Sequence, residues 1–202
     1  MFISIEGIDG AGKTSVAKEL AHKLGFEYSG QKALSTHMCI DDNLYLGYCH
    51  TYRNAVRGDP TSMFMLYGLS CFLSGQKADV VCDRHLPTVY FWYGNDNSLL
   101  IADVIYKISS KPDITIVLDV NVETATQRIQ EKLDSKKISE VQAKRDFEKA
   151  INAEMFISKI EPFLNKFELS YTIIDANTKS IAEIVNEILE LIDTVMQQSK
   201  LR

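Results

Sequence analysis

Residues 7 to 14 read Gly-Ile-Asp-Gly-Ala-Gly-Lys-Thr and fit the pattern G-x-x-x-x-G-K-[ST] of a phosphate-binding loop, the P-loop. The apolar residues 2–5 before the loop predict a short buried strand, and residues 15–20 after it predict the start of a helix. In this setting the glycines let consecutive backbone N–H groups point at phosphate oxygens, and the helix adds its positive N-terminal end. The stretch therefore predicts an α/β protein that binds the phosphate tail of a nucleoside triphosphate.

Three side chains of the loop carry distinct chemistry. We expect Lys13 to reach the β- and γ-phosphates and the Thr14 hydroxyl to ligate Mg²⁺. Asp9 either faces an acceptor and binds a sugar hydroxyl, or stiffens the turn. The residues expected to hold the nucleotide are the loop and its successor: Gly7, Asp9, Gly10, Ala11, Gly12, Lys13, Thr14 and Ser15.

Length and composition restrict the class of protein. The chain has 202 residues, 46% hydrophobic and 24% charged, which is typical of one globular domain, and we see no linker dividing residues 1–202. A net charge of −5 disfavours binding to a nucleic-acid polymer. No apolar run approaches the roughly 18 residues of a membrane span, and no signal-peptide pattern opens the chain. The four cysteines lack C-x-x-C pairing, so we expect reduced thiols in a cytoplasmic protein without a membrane partner.

Apolar periodicity predicts five strands separated by helices. The strands are expected at about residues 2–5, 26–28, 78–82, 114–118 and 171–174. Helices are expected at about residues 12–24, 41–57, 63–73, 98–108, 122–133, 140–164 and 181–195, with loops at 30–40 and 87–97. This alternation predicts a five-stranded parallel sheet flanked by helices, the three-layer sandwich of P-loop NTPases.

Residues 128–149 differ from the rest of the chain in charge. They contain seven bases and five acids, although the whole chain is acidic. A locally basic insert suggests a mobile lid, at about residues 132–145, that closes over phosphate and excludes water. A solvated helical hairpin with balanced surface charge accounts for the same composition, and both interpretations stay open.

The third predicted strand ends in an acid and a base. Asp83 and Arg84 lie where open α/β sheets place their ligands. Asp83 can hold the metal ion or its water shell, and Arg84 can bridge the donor and acceptor phosphates. The alternative for these two residues is an ion pair that only closes the strand.

The predicted helix over residues 63–73 is apolar on nearly all sides. Such a helix is buried either in a core or in a subunit contact, and the sequence favours neither. Within and after it, Tyr67 and Trp92 either line an acceptor pocket by packing on a sugar or base, or pack in the core.

Four segments resemble the thymidylate kinase family of nucleoside monophosphate kinases. Residues 2–14 resemble the family's opening segment and are the most specific of the four. Asp83-Arg84-His85, followed by Thr88 and by Trp-Tyr-Gly at 92–94, resembles its D-R-[YH]-x-x-S-x-x-A-Y-Q-G stretch. Residues 118–128 resemble its L-D-V-x-x-E-x-x-x-x-R stretch, and residues 174–176 resemble the I-D-A loop that lies near the adenine.

The resemblance implies a homodimeric kinase that moves the ATP γ-phosphate, with Mg²⁺, onto a deoxynucleoside monophosphate. It implies that Asp9 binds the acceptor's 3′-hydroxyl and that Arg53 contacts the acceptor phosphate. Tyr67 would stack on the base, and Trp92 would pack under the sugar and disfavour ribose. The implied acceptor-binding residues are Asp9, Arg53, Tyr67, Cys71, Arg84, Thr88, Val89 and Trp92.

The resemblance also implies where the remaining charges act. Residues 8–11 contain no base, as in the variant of the family whose lid supplies the catalytic cations. The implied catalytic residues are therefore Asp9, Lys13, Arg84, Lys132, Lys136 and Lys137. Those implied on the ATP side, besides the loop, are Arg128, Ala176 and Asn177.

The positions that read the base depart from the family pattern. Cys71 stands where the family has an arginine, Val89 where a polar group often faces the base, and Tyr93 where it has a glutamine. The family's P-G-G-T segment is replaced by Ser-Gly-Gln at 29–31. A site that recognises a base by hydrogen bonds discriminates less well without those partners. We therefore do not expect strict specificity for thymidylate.

Two further functions stay open at this point. A deoxynucleoside kinase would need a base to take the 5′-hydroxyl proton, and Glu27 is the one candidate that the sequence offers. A non-catalytic P-loop protein would bind ATP and phosphorylate no acceptor.

Overall fold

The computed structural model describes residues 1–30, 33–37 and 39–200. Within these ranges the strands are β1 (Phe2–Gly7), β2 (Glu27–Ser29), β3 (Val80–Asp83), β4 (Ile114–Asp119) and β5 (Tyr171–Asp175). The helices are α1 (Lys13–Leu24), α2 (Ala33–His37), α3 (Asp42–Ala55), α4 (Pro60–Ser74), α5 (Leu86–Tyr93), α6 (Asp96–Ile108), α7 (Val122–Asp134), α8 (Glu140–Ala150), α9 (Ala153–Lys166) and α10 (Ile181–Lys200). None of the described helices is long and apolar enough to span a bilayer.

The five strands form one parallel sheet in the order β2-β3-β1-β4-β5, which confirms the predicted sheet. Strand β1 lies at its centre, with Ile5 opposite Asp83 on β3 and Gly7 opposite Leu118 on β4. Because parallel strands end at the same edge, this register places the P-loop beside Asp83. The register is what brings the two halves of the predicted phosphate site together.

Helices cover both faces of the sheet, as the three-layer fold requires. Helix α1 packs against β1 and β3 and against α10, whereas α5 packs against β1 and α9 against β4. The central strands are buried on both sides, so their side chains are nearly all apolar or β-branched. Ile3, Ile5 and Ile116 are fully buried and belong to one continuous core.

The turn of the P-loop depends on its second and third glycines. Gly10 and Gly12 both have φ of 92°, in the left-handed region that other residues rarely adopt. A Cβ atom on Gly10 would lie 2.6 Å from the carbonyl oxygen of Ala125 at the start of α7. The loop therefore approaches its neighbour too closely for any side chain at this position.

Three local predictions are wrong. Residues 87–97 were expected to be a loop but contain most of α5, because the buried carboxylate of Glu6 accepts hydrogen bonds from the backbone N–H groups that open this helix. Residues 30–40, also expected to be a loop, contain α2, while 31, 32 and 38 lie outside the described residues. The expected single helix over 140–164 is two helices, α8 and α9, separated at 151–152, and Pro162 lies inside α9.

Candidate active site

Lys13 is the first residue of α1 and is buried at the P-loop. Its side chain is 4% exposed, and its Nζ donates a hydrogen bond to the Ile8 carbonyl oxygen at 2.6 Å. Burial, together with the charge of Arg84, lowers the pKa of Lys13 to about 7. An anionic phosphate in the loop would favour the ammonium form again. The position of Lys13 at the loop is consistent with the predicted contact between its ammonium group and the phosphates.

Thr14, in the P-loop, and Asp83, at the end of β3, form a hydrogen-bonded pair of oxygen-bearing side chains. The Thr14 hydroxyl donates to Oδ2 of Asp83 at 2.5 Å, and the Tyr28 hydroxyl approaches the same oxygen at 3.3 Å. The other carboxylate oxygen of Asp83 is buried and has no hydrogen-bond partner among the described residues. A hydroxyl and a carboxylate are the ligands that P-loop proteins give Mg²⁺, and an unpartnered carboxylate oxygen fits a cation.

The described residues contain no group of three or more His, Cys, Asp or Glu side chains that could hold a metal ion by themselves. Mg²⁺ usually takes one or two protein ligands and completes its shell with waters and substrate phosphates. The pair formed by Thr14 and Asp83 fits that pattern.

Asp9 joins three positive charges. It forms a short ion pair with Arg84, and its other carboxylate oxygen lies 3.2 Å from Nζ of Lys149 on α8. Nζ of Lys13 lies 3.9 Å from Oδ1 of Asp9. Burial raises the pKa of Asp9, but the charges of Arg84, Lys13 and Lys149 outweigh it and hold the pKa well below its usual range. Asp9 therefore stays ionised and fixes the cations around it.

A cavity of about 150 Å³, which we call the acceptor cavity, opens next to this ion network. Four bases line it, and no carboxylate does among the residues that the structure describes. The bases are Arg53, Arg84, Arg145 and Lys149. Such a lining favours a small anionic group.

Aromatic rings form part of the cavity wall. Tyr67 and Tyr93 are stacked with their ring centroids 5.5 Å apart, and Nζ of Lys149 lies 5.1 Å from the centroid of the Trp92 ring. Nη2 of Arg53 donates to the Tyr93 hydroxyl at 2.8 Å. The predicted residues Arg53, Tyr67, Cys71, Val89 and Trp92 thus all line the cavity.

Thr88 also lines the acceptor cavity, but its hydroxyl is already engaged. It donates to Glu6 at 2.5 Å, and the Thr88 backbone N–H donates to the same carboxylate. Burial raises the pKa of Glu6, although these hydrogen bonds act in the opposite direction. The pair fixes the start of α5, and so the position of Trp92 on that helix.

A second hollow lies on the other side of the P-loop. It is lined by loop residues and by bases of α7 and the following turn, among them Gly10, Gly12, Ser15, Arg128, Lys132 and Lys137. The third predicted lid base, Lys136, is not among its lining residues and sits in the turn with φ of 54°. The structure thus groups two of the three predicted lid lysines with the loop.

Arg128 links the P-loop to the segment after β5. Its Nη2 donates to the Ala176 carbonyl oxygen at 2.6 Å, and its Nη1 to the Ala11 carbonyl oxygen at 3.4 Å. The side chain of Asn177 accepts a hydrogen bond from the backbone N–H of Asn121 at 2.9 Å. The residues predicted on the ATP side therefore lie together at the edge of the sheet.

Comparison with known proteins adds an independent observation. A sequence model of the thymidylate kinase family matches residues 73–188. The probable thymidylate kinase of Methanococcus vannielii is 32% identical over 205 residues, which cover 93% of this chain and 92% of that protein. The chain belongs to the thymidylate kinase family. The probable thymidylate kinase of Methanocaldococcus jannaschii is 28% identical over 199 residues, which cover 94% of each chain.

Membership of the thymidylate kinase family makes this protein an enzyme of the nucleoside monophosphate kinase class. Solved structures show the fold alone. A deoxyadenosine kinase from M. mycoides, with products dCMP and dCDP bound, has a TM-score of 0.57 at 19% identity and covers 96% of this chain and all of its own. The shikimate kinase of Acinetobacter baumannii has a TM-score of 0.56 at 18% identity, with 96% and 93% covered.

Sequence reasoning missed two bases of this thymidylate kinase family site. Arg145 and Lys149 both belong to the basic insert at 128–149, but the sequence favours three lysines of the lid at about 132–145 as the catalytic cations: Lys132, Lys136 and Lys137. The two bases are four residues apart, so they share one face of α8, and that face meets the acceptor cavity. The helical spacing was a signal, but the break at 151–152 that directs α8 toward the P-loop was not visible in the sequence.

Proposed function

We propose that this member of the thymidylate kinase family transfers the γ-phosphate of ATP to the phosphate of a deoxynucleoside monophosphate, with dTMP and ATP giving dTDP and ADP as the reference reaction. The charge of the acceptor cavity is the observation that supports this most, since four bases line it and no described carboxylate does. A monophosphate supplies the missing negative charge. A nucleoside carries no charge, so it would add no counter-ion for the four bases beyond Asp9 and Asp146, which three of them contact already.

Each part of the site has a task in this reaction. Lys13 holds the β- and γ-phosphates, while Arg84 and Lys149, fixed by Asp9, orient the acceptor phosphate. Mg²⁺, held by Thr14 and Asp83, would neutralise charge on the transferred group. The acceptor phosphate is already an anionic nucleophile, so transfer needs no general base.

The deoxynucleoside kinase alternative lacks a suitable base. Glu27 is half-exposed, forms an ion pair with Lys77 and pairs with Val80, three residues before the site end of β3. Asp9 has a depressed pKa and is a weak proton acceptor. A binding protein without catalysis has weaker support still, because Lys13, the pair of Thr14 and Asp83, and the four bases of the cavity are side chains that phosphoryl transfer would use.

We also infer a homodimer. Helices α4 and α6 pack together, and each carries an exposed apolar stripe at helical spacing. The stripes are Met65 and Leu69 on α4 and Leu100, Val104 and Ile108 on α6. A second copy of the chain presents the same stripes and so supplies a matching apolar surface. The reaction uses ATP and suits the cytoplasm, where the four cysteines, free in the structure, would stay reduced.

The test is a panel of acceptors with ATP and Mg²⁺, followed by ADP release. We expect turnover with dTMP or another deoxynucleoside monophosphate and none with thymidine. Lys13→Ala should lower kcat by at least about 100-fold while the protein stays folded. The control Lys23→Ala, an exposed lysine of the same helix, should keep its activity. Turnover of thymidine alone would favour the nucleoside kinase, and ATP binding without any turnover would favour the binding protein.

A further inference from the structure

The guanidinium of Arg53 meets the hydroxyl of Tyr93 at the wall of the acceptor cavity. Arg53 lies on α3 and is exposed, Tyr93 is the last residue of α5, and both line the cavity. Nη2 of Arg53 donates to the Tyr93 hydroxyl at 2.8 Å. This hydrogen bond therefore ties a long side chain of α3 to the end of α5, forty residues away in the chain.

Tyr93 is held both at its backbone and at its ring. The Ser98 hydroxyl donates to the Tyr93 carbonyl oxygen at 2.9 Å. The ring of Tyr93 stacks on that of Tyr67, and the two ring planes are inclined by 17°. Burial raises the pKa of Tyr67, whereas the nearby charge of Arg53 acts in the opposite direction, so the guanidinium lies close to both rings. The hydroxyl that receives Arg53 is therefore held from two sides.

Arg53 differs from the other three bases of the cavity in its charge balance. Arg84 and Lys149 form ion pairs with Asp9, and Arg145 lies 3.6 Å from the carboxylate of the next residue in the chain. Among the residues whose side chains the structure describes, no carboxylate forms an ion pair with Arg53. The hydroxyl that it contacts supplies no negative charge. Arg53 thus keeps a positive charge that an anionic ligand can balance.

We propose that Tyr93 is a positioning residue whose hydroxyl holds Arg53 toward the phosphate of the bound acceptor. The inference rests on the proposed function, in which that phosphate enters the cavity. A guanidinium has five N–H donors in a planar fork, and the bond to Tyr93 uses one of them, so others can meet phosphate oxygens. An exposed arginine loses rotamer freedom when a ligand fixes it. A hydrogen bond formed before the ligand arrives reduces that loss and so strengthens binding.

The first test measures the Kd of dTMP by calorimetry for the wild type, Tyr93→Phe, Arg53→Ala and the double variant. Tyr93→Phe keeps the ring that stacks on Tyr67 and should raise Kd about fivefold, because the ligand must then immobilise a free arginine side chain. Arg53→Ala should raise Kd at least about tenfold, because a charged contact with the phosphate is lost. Since Tyr93 acts through Arg53, the double variant should match Arg53→Ala within about twofold.

The second test asks whether the effect depends on the phosphate. Thymidine lacks a phosphate, so Tyr93→Phe should change the Kd of thymidine by less than about twofold. In turnover with ATP and Mg²⁺, Tyr93→Phe should raise KM for dTMP and leave kcat nearly unchanged, because the contact is made in the ground state and in the transition state alike. The control Tyr90→Phe changes a tyrosine of the same helix that packs on Phe163 and lines no part of the cavity. It should leave the Kd of dTMP unchanged.

Each contrary result has a distinct meaning. An unchanged Kd of dTMP in either single variant, with or without a lower melting temperature, would overturn the inference and leave the hydrogen bond a structural role. Effects that multiply in the double variant would show that Tyr93 acts independently of Arg53. An equal loss of thymidine binding would assign the effect to the base or the sugar. Failure of the wild type to bind dTMP would count against the proposed function, and the inference would fall with it.

Discussion

At the scale of single residues, the site is organised by one carboxylate. Asp9 lies inside the P-loop, is buried, and contacts Arg84 at the end of β3 and Lys149 on α8. Arg84 adopts a left-handed φ of 76°, which is strained for a side-chain-bearing residue. The ion pair with Asp9 helps to hold that conformation. The sequence predicts that Asp9 either stiffens the turn or binds the acceptor. In the structure it also links the P-loop to the end of β3 and to α8.

Asp9→Asn tests this link. At pH 7 the substitution should lower the free energy of unfolding by about 3 kcal/mol, because it leaves two partly buried cations without a counter-charge. The depressed pKa means that this stabilisation is present above the ordinary value of 3.8 and is lost as the pH falls below it. Denaturant titrations of both proteins should therefore converge in acid. Asp79→Asn, which removes a carboxylate from an exposed ion pair, should change stability by less than about 1 kcal/mol.

At the scale of elements, helix boundaries follow local chemistry where it is present. Asp59 caps α4 by accepting from the Ser62 N–H, and Pro60 takes its first turn, where a missing N–H costs nothing. Helix α8 shows the opposite case. The sequence predicts one helix over 140–164, but α8 ends at Ala150 and the chain turns at 151–152 before α9, so that Lys149, near the end of α8, reaches Asp9 of the P-loop while α9 packs on β4.

Helix α8 provides a matched pair of lysines. Lys149→Ala removes a cation from Asp9 and from the Trp92 ring and should raise KM for the monophosphate tenfold or more, at about 1.5 kcal/mol per charged contact. KM for ATP should change little. Lys144→Ala alters an exposed lysine of the same helix that lines no part of the cavity. Equal effects of the two substitutions on KM would refute a specific role for Lys149.

The apolar stripes of α4 and α6 make the dimer testable. Leu69→Asp should convert a dimer into a monomer in light scattering after gel filtration, because a charge would be buried without a partner in the interface. Met155→Asp places the same charge on an exposed apolar residue of α9 and should leave the mass unchanged. A wild-type protein that is monomeric at high micromolar concentration would disprove the interface.

At the scale of the whole molecule, the central position of β1 decides where chemistry occurs. The P-loop follows the carboxyl end of β1 and therefore lies between β3 and β4. Strand β3 ends in Asp83, and β4 is followed by α7, which carries Arg128. The acceptor cavity and the ATP-side hollow therefore open on either side of one loop. We expect both ligands to bind at this edge of the sheet, and the binding of either to stabilise the fold.

Binding of ATP with Mg²⁺ should raise the melting temperature. At a ligand concentration about 100 times Kd, the gain of about 2.7 kcal/mol corresponds to about 5–10 °C for a chain of this size. Chelation of Mg²⁺ by EDTA should reduce the shift, and Thr14→Ala should show the reduced shift even with Mg²⁺ present. Thr194→Ala, an exposed threonine on α10, should behave as the wild type. An equal shift with and without Mg²⁺ would argue against the ligand pair of Thr14 and Asp83.

The sequence by itself determined the parts whose chemistry is local. The P-loop follows from its own glycines and lysine, because their backbone requirements hold in any fold. The central strands β1, β3 and β4 follow from apolar runs that a parallel sheet buries on both faces. The family followed as well, since its motifs are contiguous segments, and the comparisons confirmed it.

Only the tertiary structure decided which distant side chains meet. Helix α5 forms where a loop was expected because Glu6 accepts hydrogen bonds from its first N–H groups, those of His85 and Thr88, which are 79 and 82 residues away in the chain. Lys149 reaches Asp9, and Tyr45 comes beside Ser70, through packing between elements that no spacing in the sequence encodes. Burial lowers the pKa of Lys13 and raises that of Glu6. Those properties depend on exclusion of water, which a linear pattern cannot reveal.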